Sequence, residues 1–155
     1  MAAPLALPPS PRIVLDSNAV LALWVFRDPA LAVLREAVEA GRFELWSRED
    51  CLHELTHVFA YPHLKLDEAA QAEALATYTA RVRLAPATPA ELVLPRCRDE
   101  DDQKFIEAAW LAEAHLLVSR DKAVLRVGRH RLLRDRFTVL TPETLDAQLR
   151  DAAPA

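Results

Sequence analysis

Along the chain, short continuous apolar runs alternate with longer stretches whose apolar residues recur every three or four positions. That is the pattern of buried strands separated by amphipathic helices. Arg12-Ile13-Val14-Leu15-Asp16 predicts a first strand, after which Ser17 or Asn18 caps a short helix carrying Val20, Leu21, Leu23 and Trp24. Pro29 sits in the first turn of a helix with Leu31, Leu34 and Val38 on one face, and Gly41 stops it. Phe43–Trp46 predicts a second strand, and Ser47 caps a helix reaching about Ala60, with Asp50 in capping-box position. An alanine-rich helix spans Asp67 to about Arg83, and the three prolines of Pro86–Pro95 mark a loop. A helix from Asp102 to Ala114, strands at His115–Ser119 and Phe137–Leu140, a short helix from Lys122 and a terminal helix opened by Pro142 complete the order. Strands spaced by such helices need crossover connections, so the expected class is α/β, a mostly parallel sheet covered on both faces.

Composition narrows this picture. At 155 residues the chain holds one domain, expected over residues 12–150. Met1–Pro11, with four prolines and no early positive charge, reads as a flexible tail and residues 151–155 as a short second one. Nineteen basic against 23 acidic side chains give a net charge of −4, which excludes a uniformly basic nucleic-acid coat. The only glycines are Gly41 and Gly128, so no glycine-rich phosphate loop is present. Cys51 and Cys97 give neither a zinc spacing nor a disulfide framework, which favours a reducing compartment. The longest apolar run, Ala19–Phe26, is eight residues, far short of a membrane span. The expected location is the cytoplasm, with no membrane partner.

Ligand sites in parallel sheets gather beyond the carboxyl ends of the strands. Asp16 closes the first strand and Asp121 follows the strand ending at Ser119. Asp99-Glu100-Asp101-Asp102 enters a helix between them, and Glu54 flanks the buried face set by Leu52, Leu55 and Phe59. Singly, each acid has an ordinary explanation as a helix cap, a macrodipole partner or a boundary residue. Jointly they fall on one edge of one sheet. Two carboxylates about 4 Å apart repel by roughly 4 kcal/mol at an effective dielectric near 20, so the group requires either protonation or a cation. No lysine stands immediately beside Asp16 or Glu54 in sequence. An all-oxygen donor set suits Mg²⁺ or Mn²⁺ better than zinc.

These residues carry a family resemblance. Val14-Leu15-Asp16-Ser17-Asn18 resembles the opening motif of PIN domains, and His53-Glu54-Leu55 with Phe59-Ala60-Tyr61-Pro62 is similar to their second acidic element. Pro95–Phe105 is similar to the third element of the PIN subgroup of toxin components, Leu117–Lys122 to the fourth, and Thr141-Pro142-Glu143 to the closing turn. The resemblance covers residues 12–145. It implies a three-layer α/β/α sandwich around a central parallel sheet of four or five strands. It also implies a Mg²⁺- or Mn²⁺-dependent endoribonuclease in which metal-activated water hydrolyses RNA. Asp16, Glu54, Asp102 and Asp121 are then the catalytic and metal-binding acids, with Asp99 a further ligand or an outer partner. Ser17, Asn18 and Ser119 would hold those carboxylates by hydrogen bonds. Some PIN subgroups carry an acid where Gln103 stands, which makes Asp102 the third-motif ligand. Toxins of this kind pair with a small antitoxin that covers the acidic cleft, and act as homodimers.

For RNA contact the expected patch is Arg126, Arg129, Arg131 and Arg134, with His130 and Arg136 among them, as a basic rim beside Asp121; a merely solvated arginine-rich surface is the competing reading. Trp24, Trp46 and Trp110 read as core, and His53/His57 as an i, i+4 pair on a helix surface. Two other functions compete. A phosphatase using Asp16 as nucleophile needs a second Asp where Asn18 stands, and a catalytically inactive PIN-like binding or regulatory module draws on the neutrality of Gln103.

Overall fold

A computed structural model of the chain describes residues 5–152. Of the expected tails, residues 1–4 and 153–155 therefore lie outside the described residues. Five strands form one parallel sheet: β1 (Arg12–Leu15), β2 (Glu44–Ser47), β3 (Val82–Leu84), β4 (Leu116–Val118) and β5 (Thr138–Leu140). Their order is β3-β2-β1-β4-β5, with every neighbouring pair parallel. The chain starts in the middle of the sheet, winds outward to one edge, then returns to build the other. The switch of direction falls between β1 and β4, the position at which such sheets open a crevice beyond their carboxyl ends.

Each central strand is apolar on both sides, as burial under two helical layers demands. Ile13 and Leu15 of β1, with Leu116 and Val118 of β4, face one core. It is completed by α1 (Ser17–Val20) and its π-helical continuation Leu21–Val25, by α2 (Ala32–Glu39), α3 (Glu49–Phe59) and α4 (Glu68–Thr79), and by α8 (Pro142–Ala152). Val14 and Leu117 face the second core, under α5 (Gln103–Leu111), α6 (Lys122–Val127) and α7 (Arg131–Arg134). The three-layer sandwich is thus present, with five strands. Leu5 and Leu7 pack partly buried against the first core. No single helix among the described residues is long and apolar enough to cross a membrane.

Local chemistry departs from the sequence reading in three places. Asp16 itself, not Ser17 or Asn18, caps α1, its carboxylate accepting from Ala19 N at 2.8 Å. Ser47 is the last residue of β2 and is buried there, so α3 begins two residues later behind Arg48. The Arg48 guanidinium, also buried, binds Asp50 at 2.7 Å and Glu107 of α5 at 3.3 Å, so Asp50 serves an ion pair and not a capping box. The third departure is at Val82 and Arg83, which the helical pattern absorbed. They leave α4 and pair with Leu45 and Trp46 as the edge strand β3. With only three residues and one partner strand, β3 carries too little periodicity to announce itself.

Both glycines are placed by backbone needs. Gly41 takes φ +76° just past α2, a left-handed position where a side chain is strained. Gly128 ends α6 so close to β5 that a Cβ would stand 2.3 Å from Val139 Cγ2.

Candidate functional site

The acids assemble because the topology aims successive strand ends at one crevice. Asp16 follows β1, and Asp121 follows β4 by three residues, capping α6 with a carboxylate that accepts from Ala123 N at 2.8 Å and Val124 N at 3.3 Å. Asp99 caps and Asp102 ends the 3-10 turn Glu100–Asp102 that leads into α5, where Asp99 accepts from Asp101 N at 3.0 Å. One oxygen from each of Asp99, Asp102 and Asp121 lies within 4.8 Å of the others. An open cleft of about 590 Å³ is lined by Arg98, Asp99, Glu100, Asp101, Asp121 and Ala123.

Asp16 lies deeper, at 4% exposure. Burial pushes its carboxyl up to about 6; hydrogen bonds from the Ser119 hydroxyl and Ala19 N pull the other way, and the charges of Asp121 and Glu54 push upward again. Asp102 is pushed up to about 7, first by desolvation and then by repulsion from Asp121, Asp99, Asp16 and Glu54. Five carboxylates therefore sense one another. Desolvation first, and like charge after it, push two of them upward, and the all-oxygen set is what a hard divalent ion takes.

Ser119 joins the deep and shallow halves of the cluster. It is fully buried, donates to Asp16, and its Oγ accepts from Asp121 N at 3.0 Å. A single hydroxyl thus sets the spacing between the acids of the first and fourth motifs. Ser17 is also placed as a holder, its Oγ donating to Glu54 Oε2 at 2.5 Å. Asn18 is exposed and is bonded to none of the acids among the described residues.

Glu54 differs from the other acids. Its Oε1 is ion-paired at 2.9 Å with Lys104 Nζ, which reaches over from the first turn of α5. Sequence adjacency around Glu54 offers no lysine; the cation comes from fifty positions away, through the packing of α3 on α5. Burial lowers the Lys104 ammonium, but the Glu54 carboxylate outweighs it and holds it above its ordinary range.

Gln103 has a structural task. It is buried, its side-chain oxygen accepting from Cys97 N at 2.6 Å and its amide donating to Pro95 O at 3.1 Å. It pins the segment that presents Asp99, and a carboxylate there could not donate to Pro95 O.

The arginines are exposed, and among the described residues none of Arg126, Arg129, Arg131 and Arg134 has an ion-pair partner. From the carboxyl edge α6 runs back along the sheet, and α7 precedes β5, so the series steps toward the amino edge. There Arg136 lies 3.9 Å over the ring of Trp110. Arg98, which the pattern of charge runs did not single out, lines the acidic cleft itself. The tryptophans are half-buried at core margins, and His53 and His57 face each other at 3.1 Å on the exposed side of α3.

Comparison with known proteins agrees with this fold. The family model for the PIN domain matches residues 12–123. Among solved structures, the chain is similar to the crystal structure of PAE2754 from Pyrobaculum aerophilum, with a TM-score of 0.61 and 16% identity. That match covers 92% of this chain and 91% of the other. No curated protein matches it.

Proposed function

The chain belongs to the PIN domain family, and from that premise we propose that it is a metal-dependent endoribonuclease working at the acidic edge of its sheet. PIN domains are generally nucleases and typically bind divalent metals. The observation that carries the reading is the convergence of Asp99, Asp102 and Asp121 to within 4.8 Å, backed by buried Asp16.

Asp99, Asp102 and Asp121 are the residues that would hold Mg²⁺ or Mn²⁺, with Asp16 behind them. When bound, such an ion polarises a phosphodiester and lowers the pKa of its water, supplying the nucleophile. The chain's own part is to fix the oxygens. Backbone N–H groups at the starts of α1 and α6 hold Asp16 and Asp121, and Ser119 sets the distance between them. Arg98, on the rim of the cleft, supplies a guanidinium for a substrate phosphate. The arginines of α6 and α7 extend positive charge away from the cleft, a track for the rest of an RNA strand.

The similarity of Pro95–Phe105 to PIN toxin components supports the finer reading: a cytoplasmic toxin restrained by a small antitoxin that covers the cleft. An inactive binding module draws its support from Gln103, yet that side chain is committed to the loop backbone and leaves the acid cluster complete. The test is cleavage of an end-labelled single-stranded RNA by the purified chain in Mn²⁺. The expected result is products that vanish with EDTA and in Asp121→Asn. RNA left intact in Mn²⁺ and in Mg²⁺, across several sequences, would overturn the nuclease reading.

A further inference from the structure

The five acids do not compete equally for a metal. Among the described residues, Lys104 is the only lysine or arginine ion-paired to any of Asp16, Glu54, Asp99, Asp102 and Asp121. Its ammonium stands 2.9 Å from Glu54 Oε1 and donates to Asp101 O at 2.5 Å. The other Glu54 oxygen accepts from Ser17 Oγ at 2.5 Å. Both oxygens of Glu54 are thus committed, and its charge is already matched. The pair is only 19% and 26% exposed, so water screens it weakly.

To ligate an ion, Glu54 would have to give up the ammonium at one oxygen or the hydroxyl at the other, or share that oxygen with the ion. Either way the Lys104 ammonium would stand beside a divalent cation. Asp99 and Asp121 each spend one oxygen on backbone N–H groups, but among the described residues no lysine or arginine pairs with Asp99, Asp102 or Asp121, and one oxygen of each converges.

We infer that Lys104 serves as a built-in cation at this centre: it holds Glu54 as a positioning partner outside the ligand set, and leaves the centre room for a single divalent ion. The inference rests on the metal reading above and sharpens it. Lys104 would order Glu54, Ser17 and the start of α5 around the ion without touching the ion. Its charge would also replace what a second metal would otherwise provide.

The experiment is calorimetric titration of Mn²⁺ into the full chain, with circular dichroism confirming that each variant is folded. Wild type and Lys104→Arg should each bind close to one ion per chain. Lys104→Met frees Glu54 and should take up a second ion, and the double variant Lys104→Met/Glu54→Gln should return to one. Should Lys104→Met fail to fold, Glu54→Gln alone decides. It should weaken the single site by no more than the roughly 10- to 100-fold that loss of an outer partner costs, whereas loss of a true ligand should abolish measurable uptake. Two ions in wild type, an unchanged single site in folded Lys104→Met, or loss of all uptake in folded Glu54→Gln would each overturn the inference while leaving the metal reading intact. Absence of any Mn²⁺ uptake that Asp121→Asn removes would bring down the metal reading itself, and this inference with it.

Discussion

Asp16 and Asp146 are both sealed from solvent, at 4% and 0% exposure, and they sit at functionally distant places in the fold. Asp146, on α8, accepts from Leu34 N of α2 at 2.8 Å and forms an ion pair with Arg150 one turn along its own helix. Its charge is balanced inside the chain, and the arrangement ties α8 to α2. Asp16 has backbone and hydroxyl donors too, but its charged neighbours are Asp121 and Glu54. A buried carboxylate must be paired or pay in desolvation. The α2–α8 junction settles that cost within the fold. The carboxyl edge of the sheet leaves it open, and in the proposed function an external cation closes it.

The comparison breaks most sharply at the shallow acids. Asp121→Asn should reduce RNA cleavage on the order of 10³-fold, the several kcal/mol that metal catalysis supplies, and gel assays in Mn²⁺ would read it. Asp146→Ala should do the reverse, lowering stability by about 2–3 kcal/mol, because Leu34 N and Arg150 lose their partner. Mn²⁺ affinity of the folded fraction should stay as it was. Chemical denaturation beside a metal titration separates the two effects.

Asp16→Asn should stabilise the metal-free protein by about 1–2 kcal/mol, since it removes a desolvated, repelled charge. In saturating Mn²⁺ that advantage should vanish. The pH dependence is the smallest effect. Asp16 and Asp102 are raised to about 6 and about 7, above the ordinary 3.8, so the folded state holds their protons more tightly than the unfolded chain. Their contribution to stability is fully present below about pH 4 and is lost as pH rises through 6 to 7. Asp102 is partly open to water, so its share is reduced. Melting curves at pH 5 and pH 8 should show the margin of Asp16→Asn over wild type growing with pH, and Mn²⁺ flattening the difference.

The sheet was legible because Ile13–Leu15 of β1 and Leu116–Val118 of β4 are continuous apolar runs, as parallel strands buried on both faces must be, and because Phe43, Leu45 and Trp46 mark β2. The three residues of β3 were not, since they continue the alanine-rich pattern of α4 and reveal themselves only by pairing with β2. The acids of the site were legible one by one, because strand ends are fixed by local pattern. What they meet across the cleft was not. Lys104 reaches Glu54 through the packing of α3 on α5, and Ser119 bridges Asp16 and Asp121 through a strand register. Likewise the arginine series reads as one rim beside Asp121, while the order of α6, α7 and β5 takes its later members toward the amino edge. Sequence spacing sets which face a residue occupies; the partner on the opposing element depends on tertiary packing.

The central claim is that Asp99, Asp102 and Asp121, with Asp16 behind them, form the divalent-metal centre. Crystals soaked in Mn²⁺ and measured at a wavelength with strong manganese anomalous scattering test it most directly. The account predicts one anomalous peak among the oxygens of Asp99, Asp102 and Asp121, with Lys104 still paired to Glu54. A map empty at that position, or a peak seated on Glu54 with Lys104 displaced, would contradict it.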